Sequence, residues 1–232
     1  MFFRIRYKYY KEFIRQNFTY DGDASFSKKI YTFIKKGFYV DVGCYHPLKG
    51  SHTSYLYRNG WKGLNLDISA ESIEMFKIFR PKDTSLVLGL SDKGGVSDAY
   101  LNKDISTISS INKSLVEIIG INNYKIKRTI KTTTLKDLRK KQNLNKINFL
   151  KIDCEGHDEL ILSQSSIEDL EADFLCFEVI PTDKTLKNEI EKKNNYLEFF
   201  DMKSFSKKIL DYFDHYDNNG FTYLMKSKYL NK

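Results

Sequence analysis

"GFYVDVGCYHPLKGSHTSYLYRNGWKGLNLDIS", residues 37–69, reads as strand, helix, strand. Phe38–Val42 is a short run of aromatic and β-branched residues between two glycines, which is strand composition. Ser51 stands where a helix N-cap belongs, and Gly60 where that helix stops. Residues 61–67 return to strand and end on Asp67. Asp41 lies inside the first run between apolar neighbours, where a carboxylate is tolerated only if hydrogen-bonded. The turn that follows occupies the place of a phosphate-cradling loop. Only Gly43 stands at its start, and the three spaced glycines of a dinucleotide site are missing.

The alternation continues outward. "AESIEMFKIFR" carries Ile73, Phe76 and Phe79 on one helical stripe before Pro81, and "DTSLVLGLSD" is a third strand. Lys93–Asn123 reads as loops with a short hairpin, "TLKDLRKK" as a helix and "INFLKIDCEG" as a fourth strand. "DELILSQ" opens another helix, "ADFLCFEVIP" is a fifth strand, and a long helical region leads to a closing strand, "GFTYLMKSK". Strands alternating with helices predict an α/β fold with a mostly parallel sheet covered on both faces. The first twenty residues look like a basic, aromatic amphipathic helix suited to packing on the domain, dimerisation or membrane contact. A single domain over 1–232 is expected, with a helical extension over 1–28, a cofactor-binding core over 35–182 and a C-terminal helix and strand over 183–232.

Composition narrows the class. With 41% hydrophobic and 29% charged residues the chain is too apolar for disorder. It contains no run of 18 apolar residues and no secretory leader pattern. Cys44, Cys154 and Cys176 sit in or beside apolar runs without metal-ligand spacing, which suits buried thiols in a reducing compartment. The expected location is the cytoplasm, with peripheral contact at the inner membrane face and a homodimer left open. Residues 121–150 hold nine Lys/Arg against one acid, Asp137, which equals the whole chain's net charge of +8. Such a segment suits an anionic partner or is a solvated, solubilising face.

Ligands of parallel sheets bind at the carboxyl ends of the strands. That rule points to Asp41–Pro47, Asp67, Ser91–Asp92, Asp153–His157 and Glu178. An acid on the first strand, another ending the second, and no glycine-rich cradle suit a nucleoside cofactor without a pyrophosphate, S-adenosylmethionine.

The stretches "GFYVDVGCYHPLKGSHTSYLYRNGWKGLNLDIS", "RPKDTSLVLGLSDKGG", "TLKDL", "INFLKIDCEGHDELIL" and "FEVIP" resemble, in order over residues 35–182, the FkbM-type S-adenosylmethionine-dependent methyltransferases. "LKIDCEGHDELIL" is the most specific piece. The resemblance implies a Rossmann-like class I methyltransferase fold with a seven-stranded sheet, and transfer of methyl groups to hydroxyls of a sugar or sugar nucleotide in capsule or lipopolysaccharide assembly. It places the cofactor on Asp41, Gly43, Tyr45, Asp67, Ser91, Asp92 and Asp153, and the acceptor near His46, Lys125, Arg128 and Glu178. "LDIS" stands where relatives have Glu-Pro, and His46-Pro47 where many have a glycine turn. The acceptor proton falls to His157, Glu155 or Asp153. A divalent Mg²⁺ or Mn²⁺ held by Asp153 and Glu178 is the alternative activator, and His157 has a structural reading as a helix-start histidine. An RNA methyltransferase is the second reading, favoured by charge but lacking an RNA-binding appendage, so no nucleic-acid partner is expected. A non-catalytic binding module is the third, and the retained strand-end acids argue against it.

Overall fold

The computed structural model describes residues 25–230. The layering follows from β1 (Phe38–Val42): Val40 and Val42 face one side, Tyr39 the other, and all three are buried, so the strand is covered on both faces. The main sheet runs β3 (Thr84–Val87), β2 (Lys62–Asp67), β1, β8 (Phe149–Ile152), β9 (Phe174–Glu178), β11 (Thr222–Ser227), β10 (Phe213–Asn219). From β3 to β9 every pairing is parallel. β11 is antiparallel to both its neighbours, so the seven-stranded sheet is mixed. The physical reason is the short turn at Gly220 (φ 58°), since a hairpin can join only antiparallel strands.

Alternate residues of each strand feed two cores. On one face Tyr39, Phe149, Phe174 and Cys176 pack with Phe26 and Ile30 of α1 (Ser25–Phe33), Leu56 of α2 (Ser54–Arg58) and Trp61. On the other, Val40, Leu66, Ile152 and Phe177 pack with Leu138 of α5 (Leu135–Lys141) and Ile161 of α6 (Asp158–Gln164). α3 (Ala70–Phe79) is capped by Ser69, whose hydroxyl accepts the Ser72 N–H, and sets Ile73 and Phe76 against Cys44.

Four expectations need correction. Ser51 does not cap α2; Thr53 takes the N-cap position, and the Ser51 hydroxyl is drawn away by Arg80. "DTSLVLGL" is not one strand. It breaks at Leu88, whose N–H donates to Asp67 O, and Gly89–Leu90 (β4) leaves for a second sheet. That sheet joins β4, β7 (Ile126–Thr133), β5 (Gly95–Leu101) and β6 (Ser109–Ser110); β5 and β6 are the antiparallel pair expected within Lys93–Asn123, but they belong to a four-stranded sheet, and α4 (Lys113–Ile119) follows β6 in place of a loop. The long C-terminal helical region is three short helices, α8 (Lys184–Lys193), α9 (Tyr196–Asp201) and α10 (Ser206–Tyr212), preceded by α7 (Ile167–Leu170). Of the extension over 1–28, residues 25–28 open α1, and the basic aromatic helix lies outside the described residues. Among the described residues no helix is long and apolar enough to cross a membrane.

Candidate active site

After β3 the chain builds the second sheet and returns on the far side of β1 as β8, so the strand order reverses between β1 and β8. In open α/β sheets the ligand crevice lies outside the carboxyl ends at such a point. A cavity of about 300 Å³ opens there. Its floor is Val42–Gly43, Asp67 and Asp153, with Glu155 and Glu178 at one end. Ile68 and Leu88–Leu90 form an apolar side, and β6 of the second sheet with its flanking loops adds Ser106, Thr107, Ser109 and Ile111.

The floor is held by backbone closeness. Gly43 has φ 70°, and a Cβ there would lie 1.7 Å from the Asp153 carbonyl oxygen. Beneath it, parallel register sets Asp41 beside Lys151. Lys151 Nζ donates to Gly43 O at 2.8 Å and lies 3.2 Å from Asp153 Oδ2 and 3.4 Å from Asp41 Oδ1. Burial works against its charge, but Asp153 and Asp41 outweigh it and hold the ammonium well above the usual lysine range. Asp41 Oδ2 accepts from Thr53 Oγ1 at 2.6 Å, and Thr53 Oγ1 accepts in turn from buried Arg80 at 2.8 Å. Asp41 is therefore a buried tie beneath the cavity, only 1% exposed, and not part of its lining.

Asp67 is in the lining. Its Oδ2 accepts the Tyr45 N–H and its Oδ1 the Ser69 N–H, each at 2.8 Å. Burial nevertheless pushes its pKa up to about 6, against the pull of those amides and Lys151. Tyr45 also lines the cavity, in a left-handed conformation (φ 54°) that turns its N–H toward Asp67.

Other expected residues lie elsewhere. The lining stops at Leu90, short of Ser91 and Asp92. Ser91 Oγ donates to Asp92 Oδ1 at 2.8 Å and meets His157 Nε2 at 2.9 Å. His157, at the N-cap of α6, is thus turned to this contact and away from the cavity; burial lowers its pKa. His46 Nδ1 accepts the N–H groups of Leu48 and Lys49, both at 3.0 Å, so it holds its own turn. Burial, with Arg80 and Lys49, lowers its pKa to about 4. Arg128 grips Glu71 through two bonds of 2.6 and 2.8 Å, and Lys125 is exposed outside the lining.

The acid end differs. Burial, then Asp153 and Glu178, push Glu155 up to about 8; burial and Asp153 push Glu178 up to about 7. Buried Asp158, behind them, is raised to about 8 by burial and Asp153. Two lining carboxyls can therefore exchange protons near neutrality, which is the requirement of a general base. Glu155 has φ 50°, which puts the carboxyl on the tight turn before α6. Among the described residues no group of three or more His, Cys, Asp or Glu is arranged to hold a metal ion.

Sequence reasoning missed Lys151 and the wall from the second sheet. A lysine within the apolar run "FLKI" signals a buried counter-charge, and Asp41 in "YVDV" was its one strand-centre match. The wall had no such signal, because its polar serines and threonines are indistinguishable from loop composition.

Searches of curated proteins and of solved structures found no match. The sequence model of the methyltransferase FkbM domain does match, over residues 41–222, from the buried aspartate of β1 to the first residue of β11. The matched span covers most of the chain and contains every element that builds the cavity floor, and on that ground the chain belongs to the FkbM methyltransferase family.

Proposed function

We propose that the cleft binds S-adenosylmethionine and that the protein methylates a hydroxyl of a sugar or sugar nucleotide, in surface polysaccharide (capsule or lipopolysaccharide) assembly. The observation that carries this reading is one cavity lined both by a ribose-type acid, Asp67, and by two carboxyls of raised pKa, Glu155 and Glu178. The lining fits the cofactor. Each Asp67 oxygen spends one acceptor site on a backbone amide and keeps lone pairs for a diol. Ile68, Leu88 and Leu90 offer apolar contact to a base, and Gly43 lets the ends of β1 and β8 close together beneath it.

When bound, S-adenosylmethionine supplies a methyl group on a sulfonium with a neutral leaving thioether. The protein's own task is to orient the acceptor and take its proton. Glu155 and Glu178 are the groups for that proton, since both line the cavity while His157 does not. Asp153 is tied to Lys151, which suits positioning. Asp153 and Glu178 stand at the ends of adjacent strands, but among the described residues they are not joined by a third ligand residue for a metal ion.

The test is calorimetric titration with S-adenosylhomocysteine. Asp67→Ala should weaken binding by about 1–3 kcal/mol, the scale of a lost charged hydrogen-bond partner. Wild-type affinity in that variant would remove Asp67 from the ribose role, and no binding to the wild type would remove the cofactor.

A further inference from the structure

We propose that the acceptor hydroxyl enters the cleft on a saccharide that carries no phosphate, so that glycosyl transfer off the nucleotide precedes methylation. This rests on the methyltransferase reading above and selects within its acceptor class. Four carboxyl groups line the cavity: Asp67, Asp153, Glu155 and Glu178. Among the described lining residues Lys151 is the one Lys or Arg, and its ammonium is already spent. Three donors there serve Gly43 O, Asp153 and Asp41, with Val42 O a fourth acceptor at 3.4 Å.

The nearby guanidinium groups are equally committed. Arg80 donates to Pro47 O, Ser51 and Thr53, and Arg128 to Glu71 and Asp104. Among the described lining residues a diphosphate would meet carboxyl groups and find no uncommitted Lys or Arg, and such a mismatch of polar groups is a rejection device. The hydroxyl-bearing Ser106, Thr107 and Ser109 in the lining keep acceptor lone pairs for the hydroxyls of an uncharged sugar. The carboxyls at the acid end accept from those hydroxyls or from an amine beside them.

The experiment measures methyl transfer from S-adenosylmethionine, read as S-adenosylhomocysteine formed, by the purified full chain at low ionic strength. The acceptors are methyl hexopyranosides and hexosamine glycosides, each set against its 1-phosphate and its nucleoside diphosphate form. The expected result is turnover of a glycoside with kcat/KM about tenfold or more above its phosphorylated forms. Glu178→Gln should narrow that ratio whatever it does to the absolute rate. A nucleotide sugar turned over as well as its glycoside, or a nucleoside diphosphate binding tightly beside S-adenosylhomocysteine in calorimetry, overturns the inference and leaves the methyltransferase reading standing. Absence of S-adenosylhomocysteine binding overturns both.

Discussion

At the scale of single residues the carboxyls of the cavity are the most informative. Glu155, Glu178 and Asp67 are held up to about 8, 7 and 6, each first by burial. A carboxyl whose folded pKa exceeds its unfolded value binds more protons in the folded state. Stability from it is complete below the unfolded pKa, near 4, and is lost as pH rises through the folded value. The ligand-free protein should therefore show a falling Tm between about pH 5 and 8. Glu178→Gln should flatten that fall and stabilise the protein at pH 8 by roughly 1 kcal/mol, a discounted fraction of the linkage because the group is partly exposed. Thermal unfolding across that range checks it; a Tm that rises from pH 5 to 8, with the variant parallel to wild type, contradicts it. The positions of these acids were legible as strand ends, but their basicity was not. It arises first from burial and then from Asp153, Glu155, Asp158 and Glu178 coming together from the end of one strand, a loop and a helix start. His157 shows the converse: its residue type suited a base, but the N-cap geometry of α6 hands its ring to Ser91.

At the scale of elements, the junction of β1 with β8 is the structural centre of the site. Gly43→Ala would place a methyl 1.7 Å from the Asp153 carbonyl oxygen in a left-handed backbone conformation. The strand ends would have to part, at a cost of about 3 kcal/mol or more. Chemical denaturation should show that loss together with loss of S-adenosylhomocysteine binding; a variant of wild-type stability would mean the strand ends separate freely. A second tie runs through α3. Arg128 of β7 holds Glu71 in the first turn of α3 and reaches Asp104 at 3.3 Å, while the Ser69 hydroxyl donates to Asp104 O. This clamp anchors the loop that carries Ser106 and Thr107 to the wall. Arg128→Ala should cost about 0.5–1 kcal/mol of stability, the range of a half-exposed pair, and weaken S-adenosylhomocysteine binding, with Arg128→Lys recovering little because the fork is lost. Unchanged affinity in both variants would sever the clamp from the site.

At the scale of the whole molecule, part of the basic excess of residues 121–150 is taken up in local contacts. Lys127 meets Asp98 at 2.7 Å, Arg128 meets Glu71, and Arg139 donates to the carbonyls of Asp169 and Glu171. The segment holds β7 and α5, and neither Lys125 nor Lys127 is among the residues that line the cavity. Charge reversal at Lys125 and Lys127 should leave kcat/KM for an uncharged acceptor unchanged at both low and high salt, since neutral ligands are not steered. It should also weaken retention on a polyanionic column. A salt-dependent fall in kcat/KM would place these lysines at the acceptor's entrance after all.

The sequence alone determined the α/β alternation and pointed to the strand carboxyl ends, where Asp67, Asp153, Glu155 and Glu178 line one cavity. Those features are local: hydrophobic period, capping residues and the position of a charge after an apolar run all act within one element. Tertiary structure decided the rest. The run "DTSLVLGLSD" has one unbroken strand pattern, and only the bond from Leu88 N–H to Asp67 O and the pairing with β7 divide it between two sheets. "IKRTIKTT" alternates as a strand should, but its lysines read equally as a solvated face until β5 pairs with it. Asp41 looked like a ligand because a buried carboxylate demands a partner. The partner proved to be internal, Lys151 in register on the neighbouring strand and Thr53 on the loop above. A charge's need for compensation is written in the chain, but whether a ligand or another strand supplies it depends on which elements pack together.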